Sequence, residues 1–209
     1  MKRLLYISVL LLMVYACRSQ SEHSENQLVG GPCEGCEAIF EYADNVLSAI
    51  DTLPDFHNSK PKLKITGTVF QKDAKTPAEN VILYIYHTDR QGIYKKKGDE
   101  KGWAKRHGYI RGWIKTAKDG KYTFYTFRPA AYPDGREPEH IHITVLEPNG
   151  KYYWIEDFRF KGDPILSAKE NFSRNPRGGH SGIVELYRES GHWTAERNIV
   201  LGANIPKHH

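Results

Sequence analysis

The sequence predicts an all-β protein, an antiparallel β-sandwich, on three observations. From Leu63 onward short apolar or alternating runs recur. Turn residues separate them, and no helical period falls between them. Residues 64–70 alternate in polarity, and residues 81–86 form a continuous apolar and aromatic run, as a strand buried on both faces would. Residues 110–116 and 121–127 flank Ala117-Lys118-Asp119-Gly120, a hairpin signal, and residues 140–146 and 152–160 flank a second, Glu147-Pro148-Asn149-Gly150. Residues 193–201 supply a last strand, and the polar, glycine-rich stretch 166–182 is a long excursion over one end.

Ahead of the sandwich, Ile39, Ala43, Val46, Leu47 and Ile50 fall at helical spacing, which predicts an amphipathic helix over 37–50. The unit 36–62 is read as this helix and a linker, and 63–205 as the sandwich. Residues 1–16 read as an export signal. Lys2-Arg3 precedes an apolar run, 4–14, that spans about 16 Å as a helix, short of a bilayer core of about 30 Å. Val14-Tyr15-Ala16-Cys17 resembles a bacterial lipoprotein signal, which implies lipidation at Cys17; a plain signal peptide is the alternative. Residues 17–35 are then a tether, and the protein is exported and lipid-anchored to a bacterial membrane, the outer membrane on its periplasmic or cell-surface face. Cys33 and Cys36 suit a short-loop disulfide in that compartment, with a redox pair or half a zinc site as alternatives.

The net charge of +5 comes from 30 basic and 25 acidic residues, interspersed, with two of the positives in the signal. No basic stripe exists, so nucleic acid is not an expected partner. Lys95-Lys96-Lys97 is read as a solvated loop, or as an attractor for an anion.

His140-Ile141-His142 places two imidazoles on one face of a strand, within reach of one cation. Alone this pair is weak evidence. Tyr132 stands eight residues upstream, beside a turn, and Tyr94 ends the loop after the buried strand. Tyrosine binds metal only once deprotonated, which a trivalent ion enforces. Two phenolates and two imidazoles form a hard oxygen and nitrogen set suited to ferric iron.

From residue 65 to 163 the sequence resembles the intradiol ring-cleavage dioxygenases. The likeness is carried by Gly92-Ile93-Tyr94, then Thr116 to Phe127 around Lys118-Asp119-Gly120, then Ala131-Tyr132-Pro133, then Pro138-Glu139-His140-Ile141-His142 and Gly162-Asp163. The resemblance implies a prealbumin-like β-sandwich and one non-haem Fe(III) per chain, held by Tyr94, Tyr132, His140 and His142. It implies a catechol-type diol and O2 as substrates, cleavage between the two hydroxylated carbons, and Tyr132 leaving the metal to help carry off a proton. Three positions depart from the family pattern. Glu137 stands where an arginine precedes the Pro-x-His-Ile-His motif, so Arg136 is expected to take the catalytic role, with Arg111 or Arg159 as substitutes. Asp157 aligns with a family glutamine, and Ile93 replaces an arginine. The competing readings are a surface-anchored binding module with a vestigial metal site, and a His-x-His copper or zinc oxidoreductase that makes no use of the tyrosines. His87 is expected to be a core histidine, and His180 and His192 could line a pocket mouth. An oligomer is compatible with all of these.

Overall fold

The computed structural model describes residues 25–166 and 174–209. The export signal 1–16, Cys17 and the tether up to residue 24 lie outside the described residues, as does part of the 166–182 excursion. Among the described residues no helix is long and apolar enough to cross a membrane.

Two sheets face each other. The first runs β1 (Gln27–Leu28), β8 (Lys151–Trp154), β7 (His140–Leu146), β4 (Ile82–Tyr86) and β5 (Arg111–Lys115), with β9 (Phe158–Phe160) on the other end of β7 and β10 (Ile183–Val184) beside it. The second runs β11 (Leu186–Glu189), β12 (His192–Glu196), β3 (Lys62–Phe70), β6 (Lys121–Phe127) and β2 (Ile50–Thr52), with β13 (Ile199–Val200) farther along β3. The ladders β3–β6, β4–β5, β4–β7 and β7–β8 are antiparallel, as expected of this sandwich. Parallel pairings occur where β1, β2, β10, β12 and β13 dock onto a neighbour. These strands arrive by long connections, which allow the parallel direction that a tight turn forbids.

Alternation sorts the side chains into two apolar layers. Leu83, Ile85, Ile141, Ile143 and Val145 face the second sheet and join Leu63, Ile65, Tyr122 and Phe124 in the core. Ile82, Tyr84 and Leu146 point outward, yet they are buried too, under Cys36, Ala38 and Ile39. Residues 81–86 therefore read as unbroken apolar sequence because both faces of β4 are covered.

The cover is the N-terminal arm, where two expectations are corrected, and two more are corrected farther along the chain. Residues 27–35 are not tether: Gln27 and Leu28 pair with Lys151 and Tyr152, and Cys33 is disulfide-bonded to Cys36 against the outer face. No helix spans 37–50. Cys36–Phe40 form one 3-10 turn, Ala43 takes a left-handed conformation (φ 51°), and the chain then runs extended into β2. Val46 is 98% and Ile50 59% exposed, so the helical apolar spacing marks no shared buried stripe. The turn 117–120 forms as expected, with Gly120 N–H donating to Ala117 O at 2.9 Å, but it carries the chain from one sheet to the other and closes no hairpin. Residues 193–201 give two strands, broken where the Arg197 side chain turns inward.

Candidate metal centre

The outer face of the first sheet carries His140 and His142 on β7, with Tyr86 of β4 directly across from His142. The loop after β4 delivers Tyr94. Asp89 shapes that loop: its side chain accepts from the N–H groups of Gln91 and Ile93, and its carbonyl accepts from Ala130 N–H at 3.1 Å. Thr88 Oγ–H donates to Ala130 O, and Arg90 donates to the carbonyls of Arg128 and Pro129, so the second tyrosine loop is tied to the first. Gly92, at φ +77°, makes the approach possible, because a Cβ there would lie 2.1 Å from Ala131 O. Tyr132-Pro133-Asp134-Gly135 is a β-turn closed by Gly135 N–H to Tyr132 O at 2.9 Å, with Pro and Gly at the positions that turn favours.

Four donor atoms converge as a result. Tyr94 Oη lies 2.6 Å from Tyr132 Oη and 2.8 Å from His142 Nε2. His140 Nε2 lies 3.2 Å from Tyr132 Oη and 3.1 Å from His142 Nε2. Both imidazoles are turned by bonds on their far side: His140 Nδ1–H donates to Pro138 O at 2.7 Å, and His142 Nδ1–H to Asp157 Oδ1 at 3.2 Å. Their Nε2 lone pairs consequently point into one small space, where only the two phenolic protons separate them. Burial raises the pKa of Tyr94, reinforced by Tyr132, and burial raises that of Tyr132, so neither ionises at neutral pH without a cation. Burial and His142 lower that of His140, which keeps its imidazole neutral and able to ligate. A multivalent cation in place of two phenolic protons fits this donor set.

Asp157 reaches His142 from an irregularity in the strand. Ile141 pairs with Phe158 and Thr144 with Trp154, so three steps along β7 face four along β8 and β9, a bulge of one residue. Arg197, fully buried, secures the bulge by donating to Glu156 O and to His180 O. His140, His142 and Asp157 alone also form a group able to hold an ion. Asp157, however, sits on the Nδ1 side of His142, which is the place of an orienting partner.

A cleft of about 520 Å³ opens above the centre, lined among others by Tyr94, Tyr132, His142, Tyr86, Trp103 and Trp154. Tyr86 stacks on His142 with ring centroids 4.5 Å apart and, on its other side, on His107 at 3.7 Å. The Cys33–Cys36 loop forms the opposite wall, and Glu34 there pairs with Arg106.

Of the residues singled out from the sequence, Tyr94, Tyr132, His140 and His142 come together. Arg136 does not. It lies on an exposed turn, its side chain 84% accessible and 3.8 Å from Asp134, because residues 133–137 all face solvent. Arg111 is also elsewhere, paired with Glu41 and packed over Trp113. Arg159 stands across the ladder from His140; its charge adds last to the lowering of the His140 pKa by burial and His142, and to the lowering of the Asp157 pKa by His142 and His140 against burial. Glu137 is exposed, and its charge helps raise Tyr132 after burial. His87 is buried, as expected. His180 accepts from Gly182 N–H and meets Arg197, and neither it nor His192 is among the cleft residues. Sequence reasoning missed Asp89, whose Asp-x-x-Gly spacing is a turn signal, and quoted Asp163 within the family likeness without its role, which is to cap Glu139 N–H at 2.9 Å where β7 begins.

A sandwich bearing this tyrosine and histidine centre on its outer face defines a known class, and the comparisons place the chain in it. The family described as Dioxygenase matches residues 43–190, and the chain belongs to the intradiol ring-cleavage dioxygenase family. The protocatechuate 3,4-dioxygenase beta chain of Burkholderia cepacia is 26% identical over 154 residues, 67% of this chain and 64% of the relative. Catechol 1,2-dioxygenase 1 of Acinetobacter lwoffii is 30% identical over 136 residues, 57% of this chain and 42% of the relative. The matches thus span less than two thirds of either relative. Among solved structures, the dioxygenase domain of a dioxygenase–carbohydrate-binding fusion from Streptomyces sp. SirexAA-E aligns with a TM-score of 0.53 at 20% identity, over 85% of this chain and 97% of that one. An intradiol ring-cleavage dioxygenase from Tetranychus urticae aligns with 0.54 at 20%, over 87% and 93%. At such identities these two show the fold.

Proposed function

We propose that this chain is a non-haem Fe(III) intradiol dioxygenase that opens a catechol-type ring between its hydroxylated carbons with O2. The observation that carries the reading is the convergence of Tyr94, Tyr132, His140 and His142 at the base of an aromatic-walled cleft. Family membership supports it. Tyr94, Tyr132, His140 and His142 would hold the iron, which when bound supplies the electronic coupling between a diol and dioxygen.

The protein's own contributions follow from the geometry. Pro138 O and Asp157 fix both imidazoles with Nε2 forward. Tyr94 is braced by Tyr86, ring centroids 5.7 Å apart, and by its ordered loop. Tyr132 stands at the base of the exposed 133–137 turn, where it is free to swing out and take a diol proton on Oη. Trp103 and Trp154 offer apolar ring surfaces in the cleft that bind an aromatic ring and exclude water. With Arg136 pointing away, the cation on the cleft wall is Arg106.

The test is metal content, visible absorption and oxygen uptake of the full chain, before and after adding catechols. Stoichiometric iron, a tyrosinate-to-iron colour and a ring-opened diacid are expected. Iron and colour with no oxygen uptake across catechols would replace this reading with the binding module. We also propose the exported, lipid-anchored location, on the basic and apolar start that ends at Cys17. Cys17→Ser should release the protein from membranes, and continued membrane association would refute lipidation there.

A further inference from the structure

We infer that a second groove, continuous with the metal centre, receives an anionic arm carried by the aromatic diol, so that the substrate class is a catechol bearing a short apolar chain that ends in a carboxylate. The inference rests on the dioxygenase reading for the diol and on separate observations for the arm. The groove, about 740 Å³, shares Tyr94, Tyr132 and Arg106 with the cleft and is otherwise lined by Gly92, Ile93, Lys95, Lys96 and Lys105. No acid lines it.

These cations come from two places in the sequence and are held together by backbone. Lys95 and Lys96 follow Tyr94, while Lys105 and Arg106 lie on the single helical turn α1 (Ala104–His107). Gly108 ends that turn at φ +70°, and a Cβ there would lie 2.6 Å from Lys95 O and 2.9 Å from Tyr94 C. Tyr109 N–H then donates to Lys95 O at 3.0 Å. The backbone thus sets these exposed cations along one groove.

Four cations elsewhere have partners: Lys64 with Glu189, Arg111 with Glu41, Lys161 with Glu185, and Lys97 over the Tyr109 ring at 4.4 Å. Arg106 has Glu34 on the cleft side. Lys96 acts at range on Glu100, which is itself tied to the N–H groups of Lys97 and Gly98. Among the described residues Lys95 and Lys105 have no ion pair. Asp134 and Glu137 act on Tyr132, but neither lines the groove. Ile93, 49% exposed, lines the groove together with the tyrosines and the lysines and gives an apolar linker a surface. A ring at the metal centre, a linker on Ile93 and a carboxylate among Lys95, Lys96 and Lys105 follow in that order. A strong field of one sign beside a cleft also raises the encounter rate of an anionic substrate.

The experiment compares 3,4-dihydroxycinnamate with its methyl ester on the iron-loaded full chain. Binding is measured by calorimetry without oxygen, and turnover by oxygen uptake. The acid should bind roughly tenfold tighter than the ester at low salt, and the preference should collapse at about 0.5 M salt. In K95Q/K96Q/K105Q the acid-to-ester ratio should fall to near one. Equal binding of acid and ester, or a preference that survives in the triple variant or in high salt, overturns the groove. Should the triple variant fail to fold, Lys105→Gln alone and the salt titration of the unaltered chain decide in the same sense. A charge preference in binding with no oxygen uptake from either compound would sink the dioxygenase reading and leave the groove standing. Turnover of both with no preference would do the reverse.

Discussion

Asp157 and Pro138 perform the same task on the two histidines, one with a carboxylate and one with a backbone carbonyl. Each accepts a hydrogen bond from Nδ1–H and leaves Nε2 as the ligand atom. The carbonyl survives any substitution at its own side chain, whereas the carboxylate does not. Asp157→Ala should therefore lower metal affinity by about 10- to 100-fold, measured by competition with a chelator, while the fold persists because Asp157 is not part of the apolar core. Unaltered affinity would mean that the ring of His142 is held by its stack on Tyr86 alone. At this scale the sequence yields the four donor residues because their order and spacing are jointly restrictive. It misleads over Arg136, since position beside a motif does not fix direction: the residue falls on a turn whose every member faces water. It gives no role to Asp163 and Arg197, which act through backbone groups far away in sequence, and hydrogen bonds of that kind leave no periodic trace; Asp89 acts on N–H groups two and four residues on, a local turn signal.

Two irregular elements build the site, a pair of loops and a bulge. The loops bearing Tyr94 and Tyr132 meet backbone to backbone at Gly92, whose missing side chain sets their separation. Gly92→Ala brings both a left-handed backbone penalty and a contact of 2.1 Å with Ala131 O, so the loops must part. Loss of the tyrosinate-to-iron colour is the expected outcome, with thermal stability lowered by only about 1–3 kcal/mol because the change is confined to loops. An intact colour would show that the loops adjust without moving the phenols. Strand alternation makes β3 and the two faces of β7 legible in sequence, whereas β4 reads as an unbroken apolar run because both its faces are covered. Alternation does not say which sheet a strand joins. Hence β5 and β6 look like a hairpin, with Gly112 and Ile114 on one side and Tyr122 and Phe124 on the other, although their turn crosses between sheets. The apolar residues of 37–50 fail as a helix for a related reason. Ala38 and Ile39 bury against the outer face, whereas Val46 and Ile50 bury against nothing, so a period of 3.6 describes no common surface.

In the whole molecule, three layers meet near the metal centre: the two sheets and the N-terminal arm. The arm supplies the disulfide wall of the cleft. The two sheets are joined under the site by His87, which leaves the end of β4 and crosses to β6. Its Nδ1–H donates to Thr88 O at 2.7 Å and its Nε2 accepts from Thr126 Oγ–H at 2.6 Å, so the neutral ring is fully satisfied. His87 is 1% exposed. Burial lowers its pKa to about 4, with the Thr88 bond opposing and His142 and His140 adding to the shift. In the unfolded chain it returns to about 6.5. As pH falls the unfolded chain takes up this proton first, so stability rises with pH between about 4 and 6.5. The contribution is complete above 6.5 and is lost on acidification toward 4. Between pH 7 and pH 5 the loss from this one ring is about 2 kcal/mol. His107, also lowered to about 4 by burial and then by nearby positive charge, adds a similar slope, so the unaltered chain alone cannot isolate His87. Denaturant unfolding of the unaltered chain and of His87→Gln at both pH values does so by difference. The variant, with no ring to protonate, should lose about 2 kcal/mol less on acidification, and equal losses in the two proteins would show that the sheet-to-sheet contact is not what makes this fold acid-sensitive.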